Sequence, residues 1–375
     1  MFKNYKILFS LIVPTAILIV IGIAIIQSAA INHSVDYATR QCIWAIIGIC
    51  IAIAIAITPP KYFSNYAYIY FIISILALVL VLIIGEERNG TKAWLGISSL
   101  GIQPSEFAKI AVIIIFGRYL ADFEEHRYDK KYFMIPFVGL SIPMILILLQ
   151  PDLGTALTFI PIVLAMFFAS GTRTSLIVTT ISGMLMSFPF MWFLFFKQHH
   201  KQRIILTWFP ERDPLGYGYQ ALQSNIAIGS GGFFGRGYMQ NSLSRLGFLP
   251  EQHTDFIFAV IGEEFGFTGS TFVLLMFLWL IAGGYYVAIC AGNIFGRTVA
   301  AGITTLIAVH VIMNVGMTIS LLPIIGVPLP LVSYGGSSFI ATMICVGMLL
   351  SIYGYSRIMK QSDQERKNQM FEVYT

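Results

Sequence analysis

The sequence predicts an all-α polytopic membrane protein, with about ten transmembrane helices and a large extracytoplasmic loop between helices 7 and 8. Three observations carry this. Of the 375 residues, 57% are hydrophobic and 11% are charged, whereas a soluble domain is nearer half apolar and a quarter charged. The mean hydropathy is +0.78. Ten apolar segments approach the ~20 residues that a bilayer-spanning helix needs, and one long polar, glycine-rich stretch interrupts them.

In order, the segments are 8–30, 42–58, 67–84, 105–121, 133–149, 155–170, 174–196, 271–291, 298–320 and 335–356. The first follows Lys3 and Lys6 and runs to about Ile31, too long for the ~7–15-residue apolar region of a secretory signal. Several contain Pro or Gly, which membrane helices tolerate. Cys42, Cys50, Cys290 and Cys345 lie inside apolar runs without metal-site spacing and read as packing residues. The chain reads as one membrane domain over 1–375. The loop takes 197–270, and a polar tail expected to be disordered takes 361–375.

An even number of spans puts both termini on one side. If that side is the cytoplasm, its segments carry Lys3, Lys6, Lys61, Arg118, Arg127, Lys130, Lys131, Arg173, Arg297, Arg357, Lys360, Arg366 and Lys367. The short outer loops then carry only Arg40, Arg88 and Lys92. This 13-to-3 asymmetry follows the positive-inside rule. The net charge of +5 is spread over span ends rather than gathered in a stripe, so it does not point to nucleic acid; the expected surroundings are membrane lipids. The site is expected at the outer face of the cytoplasmic membrane.

Three outer loops hold the polar residues. In the long one, Gln202 and Arg203 lead, and Gly229 to Gly237 with Arg236 has the composition of a backbone anion nest. The alternative is a set of turns between interfacial helices. His253, Thr254 and Asp255 precede an apolar run to Gly269, expected to lie partly along the membrane surface. A carboxylate there is partly desolvated, which raises its pKa and suits a general base. The competing role for Asp255 is a helix N-cap. The 323–337 loop, with Ser333, is expected to dip toward the bundle.

Elsewhere, Glu106 and Lys109 share one helix face in the fourth span. Ionisable groups there are paired or functional, as an internal ion pair or as the floor of a polar cavity. Asp152, between spans five and six, reads as a helix cap or a second cavity carboxylate. Trp94 reads as an interfacial anchor or a ring that stacks on a sugar. His310 and Asn314, four apart, read as helix glue.

Together these stretches resemble the SEDS family (shape, elongation, division and sporulation proteins). The resemblance rests on TKAWLGI (91–97) with QPSEFAKIA (103–111), QPDLGTAL (150–157), GYQALQSNIAIGSGGFFGRG (218–237), LPEQHTDFIFAVIGEEFG (249–266) and GVPLPLVSYGGSS (326–338). It covers nearly the whole chain and is nearest the RodA-type elongation branch, since the long N-terminal extension frequent in the FtsW-type division branch is missing. Arg236-Gly237 stands where Lys-Gly is common, which keeps the charge.

The resemblance implies a peptidoglycan glycosyltransferase that polymerises lipid II into β-1,4 glycan strands, with Asp255 as the essential aspartate. It also implies roles for Glu106, Lys109 and Trp94, and a class B penicillin-binding protein as transpeptidase partner. Trp94, Glu106, Lys109, Asp152, Gln202, Arg203, Arg236, His253 and Ser333 are the candidate substrate-binding residues. No cofactor is required; a divalent cation such as Mg is left open. The other readings are a lipid II flippase, which needs its polar groups near the midplane, and a non-catalytic scaffold that recruits a transpeptidase, which has no need of Asp255. The partner's contact surface is expected on spans eight and nine, where Gly283, Gly284 and Gly302 permit close approach.

Overall fold

The computed structural model describes residues 5–30, 35–88, 91–96, 101–126, 128–194, 198–214, 216, 218–240 and 249–374. The helices are α1 (Tyr5–Ala29), α2 (Tyr37–Ile57), α3 (Pro60–Asn65), α4 (Ala67–Ile84), α5 (Pro104–Asp122), α6 (Lys130–Leu148), α7 (Leu153–Ala169) and α8 (Thr174–Leu194). They continue with α9 (Gln198–Trp208), α10 (Tyr219–Gly231), α11 (Ile257–Cys290), α12 (Ile294–Thr318) and α13 (Gly336–Tyr374). A small antiparallel hairpin pairs β1 (Glu86–Arg88) with β2 (Thr91–Trp94). The chain is a multi-pass membrane protein.

Eight helices among the described residues are long and apolar enough to cross a membrane: α1, α2, α4, α6, α7, α11, α12 and α13. Helices α5 and α8 occupy the other two expected positions. The first of these is diluted by Glu106, Lys109, Arg118 and Asp122. Arg118 donates to the carbonyls of Ser64 (2.9 Å) and Asn65 (3.1 Å) just before α4. Starts are set by local chemistry. Asp36 and Asp152 cap α2 and α7 by accepting from the N–H groups of Thr39 and Thr155, each at 2.9 Å. Pro104 opens α5, where its missing N–H costs nothing.

Helix α12 is central. Of its apolar window 78% is buried, against 22% for α4 at the rim, so the polar side chains of α12 face protein rather than lipid. It packs on α5, α7 and α11, while α13 packs on α2.

Three sequence expectations change. The run after Asp255 does not lie on a surface: Ile257 to Glu264 are buried on every side. Helix α11 packs against α10 and α1 instead, and it kinks at Gly266 (φ +62°, ψ −155°) before it continues. A side chain at Gly266 would collide with the backbone of Gly232 and Phe233. Next, Gly283, Gly284 and Gly302 pack internally. A Cβ on Gly283 would lie 2.8 Å from Ser10 Oγ and one on Gly302 2.9 Å from Met166 Sδ, while Gly284 abuts Thr304. Their closeness serves the bundle and leaves no glycine face there for a partner. Finally, α13 runs on as helix through the tail to Tyr374, as its Gln, Glu, Arg and Lys content favours.

Candidate active site

At the end of the bundle where α7, α11 and α13 start, two loop segments meet. One is the turn 249–256; the other is the irregular stretch 323–335 between α12 and α13. Pro323, Pro328 and Pro330 lack N–H groups, so this stretch has no regular ladder and its polar groups need other partners. It nevertheless lies deep: Val327, Leu329, Leu331, Val332 and Ser333 are all buried, as the expected dip toward the bundle requires.

The turn folds on the Glu251 carbonyl, which accepts from the N–H groups of Thr254 (3.2 Å), Asp255 (3.0 Å) and Phe256 (3.2 Å). Glu251 has a positive φ of 52°. The carbonyls of His253, Thr254 and Asp255 each receive one donor from outside. Tyr334 N donates to His253 O at 2.9 Å. Ser333 Oγ donates to Thr254 O at 2.5 Å and accepts from Leu329 N at 2.8 Å. Asn314 Nδ2 donates to Asp255 O and Val327 O, both at 2.8 Å. The backbone of 253–255 is thus fixed residue by residue while the Asp255 carboxylate stays out of the network.

Asp255 does not cap α11: Phe256 holds the N-cap position without a side-chain cap bond. Half-buried as a residue, Asp255 has its carboxyl pKa pushed up to about 7, by burial first and then by the negative charges of Glu251 and Asp152. Gly326 (φ +72°) makes room for it, since a Cβ there would stand 3.3 Å from Asp255 Oδ2. Asp152 fills the first of its two expected roles, the cap of α7, and its charge also raises Asp255. Gly154 brings the start of α7 against Ile325, next to Gly326.

Beneath this turn, Lys109 Nζ lies 2.7 Å from Glu106 Oε1 and 2.8 Å from His310 Nε2. Lys109 is 1% exposed and Glu106 5%, so the internal pair read from their spacing is present, with His310 as an added member. Because Lys109 is the donor, His310 Nε2 accepts and the ring proton sits on Nδ1. His310 and Asn314 stand one helical turn apart on α12, so this helix touches both polar sites.

The remaining candidates lie farther out. His253 is half-buried and stacks on Tyr37 at 4.5 Å, and Tyr37 meets Tyr334 edge-on at 4.7 Å. Burial raises the Tyr334 phenol, against the pull of Arg40. Trp94 is partly exposed at the end of β2, and α5 starts with Gln103 N donating to Ser337 Oγ at 3.0 Å. Gln202 and Arg203 are exposed on α9.

The proposed anion nest at 229–237 is otherwise occupied. The N–H groups of Gly235, Arg236 and Gly237 go to the carbonyls of Gly231, Glu263 and Glu264 at 2.8–3.0 Å. These glycines let the segment sit on the α11 kink, and no free row of N–H groups remains there for a phosphate. Arg236 is exposed, with Nε on Ser230 O at 3.2 Å. Among the described residues no three His, Cys, Asp or Glu side chains converge as metal ligands.

Sequence reasoning gave Asn314, His310 and Gly326 no part in a site. The i, i+4 spacing on α12 was the available signal for the first two; nothing local marks Gly326.

A family model described as cell cycle protein, FTSW_RODA_SPOVE, matches residues 2–358. The chain is 36% identical over 353 residues to peptidoglycan glycosyltransferase MrdB of Escherichia coli (strain K12), covering 93% of this chain and 95% of the relative. It superposes with TM-score 0.79 and 29% identity on a chain from a study of structural coordination of polymerization and crosslinking by a peptidoglycan synthase complex, covering 94% and 98% of the two chains. The crystal structure of Thermus thermophilus rod shape determining protein RodA matches with TM-score 0.68 and 25% identity over 92% and 96%.

Proposed function

We propose, from the premise that this chain belongs to the FtsW/RodA/SpoVE family, that Asp255 is the general base of a peptidoglycan glycosyltransferase that elongates glycan strands from lipid II. The chain is a glycosyltransferase of this class. The observation that carries the role of Asp255 is its setting: a desolvated carboxyl with a pKa near 7, beside two other carboxylates, on a clamped backbone. Such a group is deprotonated enough to accept a proton near neutral pH and basic enough to do so usefully.

In the step, the 4-hydroxyl of one lipid-linked sugar attacks the anomeric carbon of another. Asp255 takes the hydroxyl proton as the C–O bond forms. The bond from the anomeric carbon to the lipid pyrophosphate breaks, and the pyrophosphate leaves with its electron pair. One displacement inverts the α-linked donor to a β-1,4 product. Arg203 and Arg236 are the exposed cations this reading assigns to the leaving group, with Gln202 and His253 along the strand path and Trp94 as a stacking platform. Lys109, held by Glu106 and His310, supplies positive charge from below.

The 13-to-3 charge asymmetry supports an orientation with both termini in the cytoplasm and this site outside the cytoplasmic membrane. The likeness to a chain from a study of polymerization and crosslinking by a peptidoglycan synthase complex supports assigning cross-linking to a separate partner, a class B penicillin-binding protein in this reading. A flippase or scaffold would leave the raised carboxyl without a task.

The test is polymerisation of lipid II by the purified protein. The Asp255→Asn variant is expected to lose about 10²–10⁴ in rate without a fall in its thermal midpoint in detergent. Near-normal glycan chains from that variant would remove Asp255 from the mechanism.

A further inference from the structure

Asn314 stands where three parts of the chain meet. It is fully buried on α12, and its two amide hydrogens go to the carbonyls of Asp255 and Val327, each at 2.8 Å. The first carbonyl belongs to the turn that carries Asp255. The second belongs to the residue after Gly326, whose Cα faces the Asp255 carboxylate. The amide orientation is fixed, because a flip would set its oxygen against two carbonyl oxygens. In this orientation Oδ1 has no hydrogen-bond partner among the described residues. A buried polar group left half-satisfied in a native fold calls for an explanation, and pure helix packing gives none: an apolar side chain would fill the same space.

We propose that Asn314 is a positioning residue for Asp255. It locks the turn 251–256 to the 326–327 segment, and so fixes both the direction of the carboxylate and the closed wall of Gly326 beside it. This rests on the reading of Asp255 as the base. Ser333 and Tyr334 N hold the two preceding carbonyls, but both come from the loop itself. Among the described residues, Asn314 is the side chain of the central helix that hydrogen-bonds both parts of the assembly. One turn deeper on that helix, His310 holds Lys109, so α12 sets the register between the two polar sites.

The titratable groups facing Asp255 are Glu251 from its own turn and Asp152 from the start of α7. The 323–335 loop presents Gly326 there, and α12 presents Asn314, with His310 engaged to Lys109. His253 of the same turn is stacked on Tyr37, Arg297 of α12 lies at the far end of that helix, and no cation contributes to the shift of the Asp255 carboxyl, so water is what replaces Asn314 when the clamp opens. Water at the carboxylate lowers its pKa.

The experiment is a pH series of lipid II polymerisation with wild type, Asn314→Ala and Asn314→Ser, with thermal midpoints measured in parallel. Serine keeps one donor and can hold only one of the two carbonyls. In Asn314→Ala, kcat is expected to fall about 100-fold, the scale of a small misplacement of a catalytic group, with KM changed less than about threefold. Its acid limb is expected to move to lower pH than in wild type, and Asn314→Ser should fall between on both measures. A loss of kcat with an unmoved acid limb would mean a merely structural residue and overturn the proposal. So would unchanged kcat, or a thermal midpoint that collapses even in Asn314→Ser. A wild-type rate that survives Asp255→Asn would instead strike the reading beneath, a result distinct from any of these.

Discussion

Two carboxylates, buried Glu106 and half-buried Asp255, flank α12, and they are treated in opposite ways. Glu106 is neutralised: Lys109 sits 2.7 Å away, and His310 closes the other side of the ammonium. Asp255 has carboxylates for its charged neighbours, and its pKa rises to about 7. If Asp255 is the base proposed above, one bundle separates charge kept for structure and field from charge kept for proton transfer. The charge of a paired carboxylate is taken up by the cation beside it. A crowded, desolvated one binds its proton more tightly and exchanges it near neutral pH.

The sharpest way to break the contrast is to unpair the first carboxylate. Lys109→Met leaves Glu106 buried without its cation, a change that costs about 3–5 kcal/mol when one partner of a buried pair is removed. A large drop in the thermal midpoint in detergent is expected, and the double variant Lys109→Met/Glu106→Gln should recover most of it. Equal midpoints for the single and double variants would show that the pair carries no such coupling.

Acidity probes the second carboxylate. The base must be deprotonated, so polymerisation should fall roughly tenfold per pH unit below about pH 7. Stability runs the other way. The folded pKa lies above the unfolded value, so the native state binds the extra proton between about pH 4 and 7 and loses stability as pH rises through that window. Asp255→Asn should therefore melt higher than wild type at pH 8, with the gap closing by pH 5. A gap that widens on acidification would reverse the assigned shift.

The smallest effect tests the wall beside Asp255. Gly326→Ala forces a side chain into a positive φ and against the carboxylate, at about 1–2 kcal/mol for the backbone. A modest loss in midpoint and a several-fold loss of rate are expected, well short of Asp255→Asn. Wild-type kinetics for this variant would free Gly326 from the site.

The 229–237 and 323–335 segments show where composition misleads. Both are rich in residues that bend the chain, and both sit at the same end of the bundle. The glycines of the first have the composition of an anion nest, yet the Arg236 and Gly237 N–H groups go to the Glu263 and Glu264 carbonyls at the α11 kink, and those of Gly232 and Gly235 to carbonyls of α10. The second, interrupted by prolines, holds the Asp255 turn by donating the Tyr334 N–H and the Ser333 hydroxyl to its carbonyls. Composition marks a backbone as irregular but does not say what fills its hydrogen-bonding capacity.

The sequence by itself determined the membrane class, the order and approximate ends of the spans, the Glu106–Lys109 pair and the singling out of Asp255. Each depends on a local quantity: apolarity summed over some twenty residues, three-residue spacing on one helix, or a polar residue just before an apolar run. The tertiary structure alone decided that the run after Asp255 is buried and that Gly283, Gly284 and Gly302 face inward. It also decided that Asn314, 59 residues away in sequence, holds Asp255 in place. The physical reason is range. A hydrogen bond between distant residues leaves no periodicity in either local sequence, and helical spacing shows which residues share a face without showing what that face meets.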